Sequence, residues 1–193
     1  ASDGYKRQLL EIPYIWQGGM AIQGGIIFAC IAAYFYLKKH QIPVLPFADT
    51  VTPGIILGQA IGRIANFMNG DAFGHPTGQD FGLLYPDTTL AYHTYGAQPL
   101  WPAEVWECQG DLLIFVLLLW YGCKTRAEGT TFCLYIMFYS LLRFFLENYR
   151  GDYGTLALGL KSAQLTSLAA FAGAFILFLY FHFKHKSKSG ISE

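Results

Sequence analysis

TTFCLYIMFYSLLRFFLENYR, residues 130–150, decides how the rest of the chain reads. Its apolar stretch, 130–145 or a little beyond, approaches the ~20 residues that cross a ~30 Å hydrocarbon slab. Within it Tyr139, Arg143, Glu147 and Arg150 recur at i, i+4, i+8 and i+11. At 100° per residue these four fall within about 80° of one another, a single narrow stripe. Ile136, Phe138, Leu141, Phe144, Phe145 and Leu146 are left for lipid or neighbouring helices. Charges inside a membrane segment are costly and mark function by default. Arg143 and Glu147 also have ordinary salt-bridge spacing, but a second arginine on the same stripe exceeds what one ion pair needs.

The composition of the whole chain agrees. Of 193 residues 53% are apolar and only 13% charged, with a mean hydropathy of +0.32; soluble domains carry roughly 25% charged residues. Thirteen basic residues balance 13 acidic ones, so there is no electrostatic footprint for a nucleic acid partner. Four further apolar runs lie at 20–37, 44–61, 105–122 and 163–183. The run at 44–61 is the weakest, interrupted by Asp49, Thr50, Thr52 and Pro53. The expected fold is an all-α polytopic membrane protein: about five transmembrane helices in one integral-membrane domain, 1–193. Cys30, Cys108, Cys123 and Cys133 show no C-x-x-C spacing and read as buried free thiols rather than disulfide or metal ligands. Residues 1–16 lack the charged start and apolar run of a signal peptide, and because the chain begins at Ala1, helices preceding it are expected.

Basic residues near membrane ends stay cytoplasmic. Lys38 and Lys39, Lys124 and Arg126, and Lys184, Lys186 and Lys188 fall on one side if five runs alternate. The opposite, extracytoplasmic side then receives 1–19, 62–104 and 148–162. Gly74, Gly78, Gly82 and Gly96 alternate there with Pro76, Pro86, Pro99 and Pro102, which blocks a continuous helix. Residues 72–103 are therefore expected to form an irregular outer cap, with Tyr85, Tyr92, Tyr95 and Trp101 suited to the headgroup zone.

Two more polar clusters face that side. In Gly62-Arg63-Ile64-Ala65-Asn66-Phe67-Met68-Asn69-Gly70-Asp71, a continued helix holds Arg63, Asn66 and Asn69 within about 120°. Gly54, Gly58 and Gly62 upstream have the spacing that lets a neighbouring helix approach closely. Pro102-Ala103-Glu104, with Glu107 and Asp111, opens the 105–122 run. Acidic residues in the first turns complement the helix dipole, the reading preferred for Glu107 and Asp111; Glu104, nearest the outer face, is the candidate site residue of the three. Guanidinium groups match phosphate bidentately, so converging arginines at this depth point to a phospholipid headgroup.

These residues carry a resemblance. Gly62 through Asp71, followed by Phe73-Gly74, and Tyr139-x-x-x-Arg143-Phe144-x-x-Glu147-x-x-Arg150 resemble the two diagnostic stretches of the prolipoprotein diacylglyceryl transferases. Gly18-Gly19-Met20-Ala21-Ile22-Gln23-Gly24-Gly25 and Lys161-Ser162-Ala163-Gln164 are similar to two shorter motifs of that family. The resemblance implies a multi-pass enzyme of the bacterial cytoplasmic membrane whose active site faces the extracytoplasmic side. Such an enzyme moves diacylglyceryl from phosphatidylglycerol to the lipobox cysteine of a prolipoprotein and releases glycerol phosphate. It implies a catalytic set of Arg143, Arg63, Glu147 and Gln23. Substrate binding falls to Arg150, Asn66, Asn69, Asp71, Glu104 and Tyr139, with no metal and no cofactor. The chain departs from the family pattern at Gln23 and Gln98, each in place of a His, at Asp71 in place of a Glu, and at Ala103 in place of a Tyr. An amide is no base, so His75 and His93 are weighed as substitutes. The alternative reading is a divergent or truncated member that binds anionic phospholipid without turnover.

Overall fold

The computed structural model describes residues 22–123, 127–150, 155–157 and 160–189. The glycine-rich stretch before residue 22, the Gln23 side chain, Lys124 and Arg126 lie outside the described residues, as does the Lys188 side chain. The chain forms two compact units, 1–44 and 45–193. The first contributes α1 (Ile22–Lys39), which ends on Lys38 and Lys39. Gln41 then takes φ +56° while Ile42 N–H donates to the Leu37 carbonyl, a left-handed turn that closes a helix end.

The second unit contains α2 (Val44–Asn69), α3 (Leu90–Tyr95), α4 (Ala103–Gly122), α5 (Thr130–Leu146) and α6 (Ser162–Ser189). A 3-10 turn at Glu147–Tyr149 continues α5, and a hairpin of β1 (Thr155–Ala157) and β2 (Leu160–Lys161) precedes α6. Among the described residues three helical stretches are long and apolar enough to cross a membrane: Val44–Asn69, Thr130–Tyr149 and Ser162–Lys186. Many of their large apolar side chains are exposed, among them Ile61, Leu141, Phe145, Ile176 and Phe183. Water penalises that arrangement and a bilayer does not.

The polar residues interrupting α2 each have a partner or a local role. The Thr50 and Thr52 hydroxyls donate back to the carbonyls of Pro46 and Ala48, absorbing side-chain polarity next to Pro53. Asp49 turns the other way. Its carboxylate accepts the Gly129 N–H at 2.7 Å and the Phe132 N–H at 2.9 Å, two of the donors that a helix start leaves without partners. An acid from one helix thereby caps another, and Asp49 is buried as a result.

On α4 one face is buried through Glu104, Glu107, Asp111, Ile114 and Leu118. Its lower half joins Ile56 in an apolar core, against which Leu134, Tyr135, Phe138 and Leu142 of α5 pack. Gly110 permits the approach: a β-carbon there would sit 2.5 Å from the Leu142 methyls. The expected close neighbour of Gly54, Gly58 and Gly62 is not found. A β-carbon at each meets nothing within 4 Å among the described residues, because α2 turns its polar and branched residues, not its glycines, toward α4 and α5. All four cysteines are free, but only Cys133 is buried; Cys108 is half-buried, and Cys30 and Cys123 are exposed.

Residues 70–102 fold irregularly around Phe73, Ala91 and Leu100, with Tyr85 and Tyr95 packed against them. Leu83 and Leu100 exchange backbone hydrogen bonds, and Trp101 N–H donates to the His75 carbonyl. Gly74 lies so close to this strand-like segment that a β-carbon would fall 2.2 Å from the Trp101 carbonyl oxygen. The same glycine forms an isolated antiparallel bridge with Arg150, and His75 N–H donates to the Tyr149 carbonyl. Trp101, Trp106 and Tyr149 seal the junction with ring centroids 5.2 to 5.6 Å apart.

Candidate active site

Three guanidinium groups reach one carboxylate. Arg63, near the end of α2, donates to Glu107 Oε1 at 2.8 Å. Arg143 of α5 and Arg150 beyond the 3-10 turn each donate to Glu107 Oε2 at 3.4 Å. The Tyr139 hydroxyl donates to Oε1 at 3.3 Å. A carboxylate has about four acceptor positions, so these four donors saturate it. Glu107 is 0% exposed, and a buried charge is tolerable only when paired and hydrogen-bonded. The dipole role expected for Glu107 is therefore too modest. It is the hub of the polar cluster, and the signal for it lay in the i, i+3, i+7 spacing of Glu104, Glu107 and Asp111 on a face that continues into Ile114 and Leu118.

Each donor is itself held. Arg143 also pairs with Glu147 at 2.9 Å. Arg63 donates to Asn66 Oδ1, and Asn66 Nδ2 donates to Asp71 Oδ1 at 3.2 Å. The expected continuation of α2 through residue 69 is found, and it sets Arg63 and Asn66 on one face. Asn69 is exposed at the end of α2 and does not join this network. Tyr139 stacks on Tyr135, whose hydroxyl donates to Gln59.

Arg150 arrives by a route that helical phase does not describe. The α-helix stops at Leu146, the 3-10 turn follows, and Arg150 has an extended backbone with ψ +137°. Lys161 fixes this segment: its ammonium donates to the carbonyls of Glu147 at 2.8 Å and Arg150 at 2.6 Å, where a helix end leaves acceptors open and favours a cation. Gln164 completes the clamp. Its Oε1 accepts the Lys161 N–H, and its Nε2 donates to the Phe144 carbonyl and to Asn148 Oδ1. The two residues closing the Lys161-Ser-Ala-Gln164 motif thus hold the Arg150 backbone.

Glu104 and Asp111 are both 0% exposed, and among the described residues no hydrogen-bond partner meets either carboxyl. His75 and His93 stay out of the cluster. His75 Nδ1 lies 2.9 Å from the Pro76 carbonyl, and His93 is exposed beside Tyr92. Among the described residues no three His, Cys, Asp or Glu side chains come together as a metal site.

Two cavities lined by described residues flank the hub. One of about 390 Å³ is lined by Arg63, Ile64, Phe67, Leu83, Val105 and Cys108. The other, of about 330 Å³, is lined by Tyr139, Arg143, Ala163, Ser167 and their neighbours. The arrangement is an anion site between apolar spaces: guanidiniums anchored on a buried acid, with further N–H donors to offer.

The family profile for prolipoprotein diacylglyceryl transferase matches residues 4–180. The chain belongs to this family. The prolipoprotein diacylglyceryl transferases it resembles include the phosphatidylglycerol–prolipoprotein diacylglyceryl transferase of Geobacillus kaustophilus, 37% identical over 166 residues, 85% of this chain and 62% of the relative. The enzyme of the same name from Staphylococcus saprophyticus is 38% identical over 85% of the chain and 59% of the relative. That from Halalkalibacterium halodurans is 33% identical over 91% and 62%. The chain spans about three-fifths of the length of these curated transferases.

Proposed function

We propose that this chain transfers a diacylglyceryl group from phosphatidylglycerol to the lipobox cysteine thiol of a prolipoprotein, forming a thioether and releasing glycerol phosphate. The observation that carries the reading is the convergence of Arg63, Arg143 and Arg150 on Glu107. Sulfur attacks the glycerol carbon that bears the phosphate ester. The carbon–oxygen bond breaks, its electron pair leaves on the phosphate oxygen of glycerol phosphate, and the thiol proton passes to water. Negative charge grows on the leaving group, and donors already fixed in place stabilise it without reorganising. Arg143 and Arg63 serve that leaving phosphate, with Glu147 fixing the Arg143 fork. Arg150 binds the phosphate, while Asn66, Asp71 and Tyr139 orient the headgroup around it. A free thiol ionises near pH 8.5, so the positive field of the arginines favours the thiolate.

The setting follows from the charge pattern. α4 crosses the bilayer with the apolar stretches Val44–Asn69, Thr130–Tyr149 and Ser162–Lys186, α1 is a further crossing helix, and residues 72–103 lie as a cap on the extracytoplasmic face of a bacterial cytoplasmic membrane. The basic ends at Lys38, Lys39 and Lys184 lie on the cytoplasmic side. The apolar cavity beside Arg63 suits the diacylglycerol portion.

The test incubates the full chain with a synthetic lipobox peptide in phosphatidylglycerol vesicles and weighs the peptide by mass spectrometry. A diacylglyceryl mass gain on the cysteine, absent with Arg143→Ala, is the expected result. No gain from a folded protein that still binds the lipid would contradict the transferase reading and leave a lipid-binding protein.

A further inference from the structure

Glu104 is a fully buried acid that the phosphate chemistry leaves unused. Among the described residues neither carboxyl oxygen has a hydrogen-bond partner, and the side chain is 0% exposed. Buried acceptors in native structures find donors. Among the described residues nothing donates to these two oxygens, so they are open to donors that a ligand brings.

Position along α4 says what it is. Glu104, Glu107 and Asp111 share one face. At 1.5 Å per residue, Glu104 sits about 4.5 Å from the arginine hub toward the cap, and Asp111 about 6 Å from it toward the apolar core. A glycerophospholipid has the same polarity: acyl chains, then the glycerol they esterify, then phosphate, then headgroup. With its chains in the apolar half and its phosphate on the arginines, the group brought to Glu104 is the headgroup.

We propose that Glu104 is the specificity-determining acceptor for the headgroup hydroxyls of the donor lipid, taking two O–H donors from a terminal diol. This inference rests on the phosphate site proposed above. Arg63 and Arg150 are paired with Glu107, one turn along α4, so an ammonium headgroup drawn to Glu104 would come close to two guanidiniums, whereas a neutral diol meets none of that repulsion. Helix-dipole complementation alone would account for the acid at this turn, but it would give no preference among headgroups.

The experiment is native mass spectrometry of the full chain offered equal amounts of phosphatidylglycerol and phosphatidylpropanol with identical acyl chains. The two lipids share the phosphate and differ in the hydroxyls. Hydrogen bonds to a charged acceptor are each worth roughly 10- to 100-fold, so the wild-type chain should retain phosphatidylglycerol at least about 10-fold more. Glu104→Gln should bring the ratio to within about threefold of unity by exchanging the charged acceptor for a neutral one. Glu104→Asp keeps the charge at the helix start but shortens its reach, and should lower the ratio as well. A wild-type ratio near one, or variants that lose affinity for both lipids equally and keep the wild-type ratio, would overturn the proposal. Since the readout is binding, a chain that discriminates between the lipids but transfers nothing to a peptide would refute the proposed reaction and leave the assignment of Glu104 standing.

Discussion

At the scale of single residues the account turns on Glu107. Three like charges drawn together inside an apolar bundle repel one another, and one carboxylate at 2.8 to 3.4 Å makes their proximity tolerable. Removing one partner of a buried ion cluster strands the others, typically at about 3–5 kcal/mol. Glu107→Gln is therefore expected to lower thermal stability by about that much and to slow transfer by about 100-fold, the size of losing one fixed donor to the leaving group. Thermal unfolding in detergent and the peptide assay check both, and a fast, stable Glu107→Gln variant would show that the arginines are organised some other way. Arithmetic on residues 139–150 put Tyr139, Arg143 and Glu147 on one stripe correctly. The same arithmetic on α4 was available, but an acid in a first turn already has an adequate local explanation. Nothing local announces that guanidiniums from 36 and 44 residues away will arrive at it.

Helices and their ends explain the rest of what the sequence concealed. Asp49 looked like a flaw in a weak membrane span, yet it caps α5 from a distance of 80 residues in sequence. The helical continuation of α2 to Asn69 was legible from the spacing of Arg63 and Asn66, whereas the break after Leu146 was not. Arg150 reaches the site through an extended residue held by Lys161, a tertiary contact with no periodic signature. Two outcomes follow for these elements. Asp49→Asn weakens a charge-assisted cap and should cost about 2 kcal/mol of stability while leaving transfer per folded molecule near wild type, as a thermal melt and a rate normalised to folded protein would reveal. Lys161→Met frees the carbonyls of Glu147 and Arg150 and loosens the Arg150 backbone. Steady-state kinetics should then show kcat falling by roughly 10-fold, since small misplacement of catalytic groups is costly, with a smaller change in KM for the peptide. Equal effects on both constants would argue against a positioning role.

For the whole molecule, composition and the lengths of the apolar runs carried the membrane reading, because hydrocarbon imposes length and apolarity on every crossing segment. The glycine stripe of α2 was misleading, since small residues permit close packing but do not compel it. Topology has its own check. In intact cells a membrane-impermeant maleimide should modify a cysteine replacing the exposed Asp87 in the cap, and should reach the exposed Cys123 beyond α4 only after permeabilisation. The reverse pattern would turn the bundle over. The central claim, that three arginines act as one phosphate site in a lipid-to-thiol transfer, is tested most directly by measuring the rate of peptide thioether formation with Arg63→Gln, Arg143→Gln and Arg150→Gln, singly and together. Each single change is expected to cost about 100-fold or more, and the triple variant much less than the product of the three, because groups that act as a unit are not additive. Wild-type rates in any single variant, or losses that simply multiply, would contradict it.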